Sequence, residues 1–485
     1  MSAELVELLD LDLAWKRAKR DIERDRIFIK NPYEAHLIEQ DLKGWLSKLA
    51  KMVEENRFTP SPAIICEIPK PRSGIRPGAH LSIQDRVIYA ACIEVVYSLI
   101  YENLKWSQGV IDYNYQLLPP NRRSKSWFKS KFAWKDFNDD TKKKVDEGFK
   151  YIVVADICGY YENVDLQILR GDLQDGSIPQ EPLSLLFNCL KKWSDQNSSK
   201  GIPQGHSASD ILGKLYLNYV DHHLTAEGIV HIRWVDDFRI FCTSLAHARQ
   251  VVMLLTCLLR ERGLNLQSAK TEICKSHEVL NKINALENKL HPLVEEFTNK
   301  ALSLAENEGD PYMPMYRIDE IFKSTPEEAP VEALREAFKL YFIEASEDED
   351  FDKSLFRFLL KRLGVVKDKF ALDYCKLIFI RHPQETHTVL RYIEDVDGYD
   401  LIEKTLIEFL SSGECVYSYQ IYQVIEWIAR QSNYPSEALL RTVRSYLWGQ
   451  LKRPLYLRSV CWNFIDKFGS RYDLERAKNG SASGF

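Results

Sequence analysis

Apolar positions change their spacing along this chain, and the changes divide it. Tyr151-Ile152-Val153-Val154-Ala155 is an unbroken apolar run that predicts a fully buried strand, with Asp156 at its exposed end. His231-Ile232-Arg233-Trp234 and Phe238-Arg239-Ile240-Phe241 combine aromatic and β-branched residues and predict two short strands. Val235-Asp236-Asp237 then falls near a tight hairpin, where Asp is a favoured turn residue. Between these strands Ile211, Leu212, Leu215, Tyr216 and Tyr219 recur at helical spacing, with Ser207 and Ser209 ahead of them as N-cap candidates. Residues 1–57 read as helices rich in paired charges, punctuated by Leu8, Leu11, Leu13, Trp15, Leu42, Trp45 and Leu49.

From Leu280 onward the pattern becomes helical throughout. Leu355-Phe358-Leu359, Ile402-Leu406-Phe409-Leu410 and Ile421-Val424-Ile425-Ile428 follow i, i+3, i+4, i+7 spacing, and strand signals are nearly absent. An all-α stack in the manner of HEAT-type repeats is expected, although no sequence repeat is crisp. The boundaries predicted are 1–60 for an N-terminal helical segment, 61–275 for a mixed α+β region, 276–330 for connecting or thumb-like helices, and 331–485 for the helical repeat region.

Composition narrows the class. A chain of 485 residues supports two or three domains. Charged residues make up 28% and the net charge is −5, so any nucleic-acid binding must come from local patches. Arg122-Arg123-Ser124-Lys125-Ser126-Trp127-Phe128-Lys129 is one such patch, interleaving cations with aromatics as a stacking and phosphate-tracking surface would. An equal alternative is a solvated insertion whose aromatics dock on the rest of the fold. Ten scattered cysteines with no C-x-x-C pair argue against a zinc site or disulfide framework and for a reducing cytosol. No signal peptide is visible and no run of 18 apolar residues exists, so no membrane span is expected.

The chemistry lies in three carboxylates. An Asp pair at a hairpin tip is usually turn chemistry, and an Asp at a strand end often caps the next helix. In the order Asp156, Pro203-Gln204-Gly205, Asp236-Asp237, however, they describe a polymerase palm. Nucleotidyl transfer develops charge on the attacking and leaving oxygens, which a pair of hard divalent cations can clamp, and such cations want oxygen ligands.

Several motifs between residues 60 and 275 together resemble the reverse transcriptases. Ile68-Pro69-Lys70-Pro71-Arg72-Ser73-Gly74-Ile75-Arg76-Pro77 is similar to the fingers segment, where the resemblance implies that Lys70 and Arg76, with Arg72 as a substitute, hold the incoming triphosphate. Asp156-Ile157-Cys158-Gly159-Tyr160-Tyr161 resembles the first catalytic motif, which implies metal ligation by Asp156 and by the Ile157 carbonyl. It also implies a steric gate at Tyr161 that favours deoxynucleotides. Gln204 would contact the nucleotide, and Gly205 would let the backbone approach template or primer closely. Lys270, in Gly263-Leu264-Asn265-Leu266-Gln267-Ser268-Ala269-Lys270-Thr271, is the implied general acid for the pyrophosphate leaving group. Trp234 departs from the family, which usually has Tyr there, and would pack beside the primer terminus.

The implied fold is a right-hand fingers and palm with an RRM-like antiparallel sheet. The implied cofactors are two Mg²⁺ ions, with Mn²⁺ as an alternative; the partners are deoxynucleoside triphosphates, RNA as template or associated RNA, and a DNA product. Self-association stays open. A palm followed by helices is similar to the bacterial abortive-infection and defence-associated reverse transcriptases, which implies a cytoplasmic antiphage polymerase. A retroelement or repair polymerase, and a non-catalytic nucleic-acid-binding scaffold, are the competing readings. His222, His223 and His231 lack ligand spacing and read as structural.

Overall fold

A computed structural model describes residues 3–23, 28–29, 32–70, 74–120, 124–129, 133–174, 178–194, 198–284, 331–344, 351–448 and 454–480. The chain separates into two compact units, one of residues 1–65 and 78–283, the other of residues 66–77 and 284–485.

The first unit opens with α1 (Ala3–Leu8), α2 (Leu11–Glu23), α3 (Pro32–Gln40) and α4 (Leu42–Glu54). Between α4 and α5 (Ile83–Leu104) run β1 (Ile64–Pro69) and β2 (Ile75–His80), of which residues 66–77 belong to the second unit. Among the described residues α5 is the one helix long and apolar enough to cross a membrane, contrary to the expectation that no segment would qualify. Its position in the fold explains the composition. Val87, Ile88, Ala91, Ile93, Val96 and Ile100 are buried, and α2, α9 (Gln180–Trp193) and α10 (Ser207–Ala226) all pack around it. The polar residues of its first turns are spent on anchoring. Asp85 accepts from the Ser82 hydroxyl at 2.8 Å and from the Ser61 N–H at 3.1 Å, while Arg86 donates to the carbonyls of Leu81 and Ile29.

The palm expectation is met by one four-stranded antiparallel sheet in the order β4-β5-β3-β6. It consists of β3 (Tyr151–Ala155), β4 (His231–Trp234), β5 (Asp237–Cys242) and β6 (Glu272–Lys275). Alternation along the strands separates two apolar faces. Val153, Ala155, Phe238 and Ile240 join the main core with residues of α10 and α11 (Leu245–Glu261), whereas Ile152, Ile232 and Phe241 form a smaller cluster. That cluster takes Phe137 from α6 (Trp134–Asp146) and Val279 from α12 (Ser276–Ile283). Two short helices, α7 (Tyr160–Asn163) and α8 (Leu166–Asp172), follow β3.

Capping of α10 departs from the sequence expectation. Its N-cap is His206, which makes no side-chain cap, and Ser207 is already helical. The orphan N–H of Ser207 and its hydroxyl both bond to Asp21 of α2. A carboxylate from a distant helix thus does what a local serine was expected to do.

In the second unit the helices from Lys353–Val365 to Leu455–Phe468 pack on the next but one. Lys353–Val365 meets Thr386–Asp395, which meets Ser418–Arg430, which meets Leu455–Phe468; Cys375–Arg381, Tyr399–Ser411 and Glu437–Trp448 follow the same rule. This is a helical stack, and the HEAT-like expectation goes no further than that. Most of the expected thumb, 285–330, lies outside the described residues.

Candidate active site

Strand register builds the site. β3 and β5 pair antiparallel with Val154 opposite Arg239 and Ala155 opposite Phe238. One further step in this register sets Asp156 across from Asp237, on the same face of the sheet. Where β3 ends, Ile157 bridges to Leu266. The Gln267 N–H donates to the Asp156 carbonyl at 2.7 Å, and the Cys158 N–H donates to the Asn265 carbonyl at 2.8 Å. In an antiparallel bridge of this type the Ile157 carbonyl points away from the Leu266 strand, which leaves it available as a ligand. Lys270 closes a 3₁₀ turn (Ser268–Lys270) and reaches Asp156, Nζ to Oδ2 2.6 Å.

Charge crowding follows from this geometry. Desolvation, then Asp236, then Asp156, which also hydrogen-bonds it, push the Asp237 carboxyl up to about 7. Asp237 as a residue is exposed, so its negative neighbours are the firmer cause. For Lys270 desolvation acts downward, but the hydrogen bond and charge of Asp156, followed by Asp237 and Asp236, carry the net shift upward.

The hairpin turn is under backbone strain. Trp234 pairs with Asp237, so Val235 and Asp236 form a two-residue turn, and Val235 has φ of 60°. A glycine normally occupies that place, and a β-branched residue there is an outlier. The Val235 carbonyl accepts from Arg233 Nη1 at 2.9 Å. Arg233 is fully buried, with Nε 2.9 Å from Asp221 Oδ2 and Nη2 2.8 Å from the same oxygen and 3.0 Å from Asp112 Oδ2. Lys214 donates to Asp112 and to the Asn114 carbonyl. Burial alone would raise the Asp221 pKa, yet Arg233 and His231 hold it down at about 2.

Trp234 does not stand free beside the site. Trp134 of α6 meets it edge-on at 4.9 Å, Phe137 lies 5.9 Å away, and the Arg239 guanidinium sits 4.1 Å over the Phe137 ring. Tyr161 is buried, and its hydroxyl donates to Asp210 Oδ1 at 2.7 Å. Burial, followed by the Asp210 charge, raises its pKa well above the ordinary value, so the phenol stays protonated.

At Gly205 φ is 101°, and an added Cβ would lie 2.6 Å from the Phe28 ring, so close packing against Phe28 calls for glycine here. Gln204 is half-buried, and its carbonyl accepts from the Ala79 N–H at 3.0 Å.

The basic segment behaves unevenly. Lys125 is exposed, but Trp127 is 3% exposed, donates from Nε1 to Glu94, and carries the Arg17 guanidinium 4.5 Å over its ring. Its faces are taken, so the docking alternative holds for Trp127 and base stacking does not. Arg122, Arg123 and Arg72 lie outside the described residues. Lys70 and Arg76 are exposed on the 66–77 hairpin, which belongs to the second unit. The histidines are structural: His231 contacts Asp221 at 3.3 Å, His222 stacks on Trp106, and His223 packs on Tyr219.

Among the described residues no three acidic, His or Cys groups already converge as a metal cage. The donor chemistry nevertheless fits hard divalent cations. Three carboxylates lie close enough to raise the Asp237 pKa, and the ammonium of Lys270 on Asp156 and the guanidinium of Arg239 near Asp237 offset them in part. Arg233, Asp112, Asp221, Lys214 and Asp210 were not anticipated. The available signal was Lys214 and Asp221 seven apart on α10, hence on one face, with Arg233 inside a buried strand.

Residues 68–283 match the family described as reverse transcriptase (RNA-dependent DNA polymerase), and this part of the chain is a reverse transcriptase domain. No curated protein matches the chain. Among solved structures, telomerase from Candida albicans in complex with a TWJ fragment of telomeric RNA is similar at 12% identity and a TM-score of 0.33. That likeness covers 82% of this chain and 71% of the telomerase chain, and is too slight to argue from.

Proposed function

We propose that this chain is an RNA-directed or template-independent DNA polymerase whose reaction centre is Asp156, Asp236 and Asp237. The observation that carries this reading is the hydrogen-bonded contact of the Asp156 and Asp237 carboxyls, inside the matched domain, with burial, Asp236 and Asp156 driving the Asp237 carboxyl up to about 7. Asp156, Asp236, Asp237 and the Ile157 carbonyl would hold two divalent cations, Mg²⁺ first and Mn²⁺ as the alternative. When bound, such cations lower the cost of charge on the attacking and leaving oxygens of phosphoryl transfer.

The chain's own groups do the rest. Lys270, already at Asp156, holds a proton that it can give to a departing pyrophosphate oxygen. Tyr161, fixed by Asp210, presents a rigid ring as the gate against a ribose 2′-hydroxyl. Lys70 and Arg76 are the proposed triphosphate grip. RNA as template or bound RNA, and a role in bacterial antiphage defence in the cytoplasm, are the finer parts of the proposal. They rest on the resemblance of a palm followed by a helical stack.

The test uses the purified full chain with labelled deoxynucleotides and Mg²⁺, beside Asp236→Ala and Asp237→Ala, and phage plating of cells that express each. Incorporation and protection are expected from wild type and lost in both variants. Equal activity in the variants would remove the catalytic reading, and active enzyme without protection would remove the defence part alone.

A further inference from the structure

We propose that Arg233 is the positioning residue of the catalytic turn: clamped by Asp221 and Asp112, its guanidinium holds the Val235 carbonyl and thereby the left-handed backbone that presents Asp236. The inference rests on the reading of Asp236 as a cation ligand and adds how that ligand is aimed.

The turn calls for a holding device. Val235 is β-branched, carries φ of 60°, and sits directly before Asp236. Residues in that region persist where the surroundings over-determine them. Here the surroundings are a planar fork whose three nitrogens all have a directed partner. Nε and Nη2 go to Asp221, Nη2 also to Asp112, and Nη1 to the Val235 carbonyl at 2.9 Å. Arg233 cannot swing, because Asp221 and Asp112 are themselves almost wholly buried. Asp112 is fixed by Lys214 and by a parallel backbone bridge between its own residue and Arg233.

Two buried cations balanced by two buried carboxylates are a poor way to gain stability, since desolvation offsets most of their attraction. They are a good way to fix direction. The same helix also sets the other side of the site. α10 supplies Asp221 and Lys214 to the clamp and Asp210 to the Tyr161 hydroxyl. The turn and the nucleotide gate are therefore referenced to a single rigid element. Lysine could restore the charge at position 233 but not the fork.

The experiment compares full-length wild type, Arg233→Lys, Val235→Gly and the double variant. Mn²⁺ affinity is read from the electron paramagnetic resonance of free Mn²⁺, the Mg²⁺ dependence of nucleotide incorporation is measured alongside, and circular dichroism monitors the fold. R233K is expected to weaken Mn²⁺ binding by about tenfold or more, as loss of a partner behind a metal ligand does elsewhere. That loss should shrink in the V235G background, because glycine takes positive φ without being held there. Wild-type affinity in R233K, or the same fold-loss with and without V235G, would overturn the proposal.

If R233K does not fold, Val235→Pro carries the test. Proline excludes positive φ without entering the buried clamp. A folded V235P that loses Mn²⁺ affinity supports the proposal, and one that binds as wild type overturns it. Absence of Mn²⁺ binding by wild type itself would overturn the functional reading and this inference together; binding by wild type with R233K unaffected overturns this inference alone.

Discussion

Lys270 reaches Asp156 from 114 residues further along the chain, Nζ to Oδ2 2.6 Å, and so brings a cation to the carboxylate cluster. The pair is solvent-accessible on the lysine side, with Lys270 63% exposed, so its worth to the fold is small. We expect Lys270→Gln to change unfolding stability by less than about 1 kcal/mol. If Lys270 is the proton donor, kcat should fall about 10²-fold with little change in KM, and the alkaline limb of the pH profile should disappear. Steady-state kinetics across pH checks this; an unchanged kcat removes Lys270 from the chemistry.

Asp237 makes cation binding and stability depend on pH with a definite sign. Its folded pKa, about 7, lies above the ordinary 3.8, so the folded state binds its proton more tightly than the unfolded state does. The resulting stability is fully present below the unfolded value and is lost as pH rises through about 7. Metal-free protein should therefore melt at lower temperature at pH 8 than at pH 6, after subtraction of the same difference in Asp237→Asn. A divalent cation must displace that proton, so the rise in Tm caused by Mg²⁺ should be larger at pH 8. Thermal melts at both pH values, with and without Mg²⁺, decide the matter.

Tyr161 separates ring from hydroxyl. Tyr161→Phe keeps the bulk and loses the bond to Asp210, so it should cost about 1 kcal/mol and leave sugar discrimination nearly intact. Tyr161→Ala removes the gate and should raise ribonucleotide use by about 10–100-fold relative to deoxynucleotide. Competition assays with paired nucleotides measure the ratio; equal discrimination in Y161A would show that the gate lies elsewhere.

Two distant side chains should act as structural pieces. Asp21→Ala strips the external cap from α10 and should destabilise by about 0.5–2 kcal/mol. Trp127→Ala opens a cavity in the core and should cost about 3–5 kcal/mol, while Lys125→Ala, at an exposed position, should stay within about 0.5 kcal/mol. Urea unfolding gives all three. A stable W127A with weakened nucleic-acid binding would restore the stacking role set aside above.

What could be read from the sequence was local. The apolar run before Asp156 and the short alternations around Val235-Asp236-Asp237 encode strands and a turn within a few residues, and β3, β4 and β5 lie where those patterns put them. The Asp156–Asp237 pairing followed because antiparallel register fixes both residues once the strands are known. The parts that were missed depend on partners far away in sequence. Asp21 caps a helix that starts 186 residues later, and nothing around Ser207 signals that its own hydroxyl would be a donor to it. Phe28 fills the space over Gly205, which a glycine beside Gln204 cannot announce. Nothing beside Arg233 in the sequence announces that Asp221 and Asp112 close around it. The aromatics near Trp127 could stack on bases or on protein with equal chemical sense, and only packing chose.

The most direct measurement is anomalous diffraction from crystals of the full chain soaked in Mn²⁺ with a non-hydrolysable deoxynucleotide. We expect two anomalous peaks among the carboxylates of Asp156, Asp236 and Asp237, with Lys270 moved off Asp156. Saturating Mn²⁺ that leaves this cluster without a peak, while Lys270 stays on Asp156, would contradict a shared cation site at these residues.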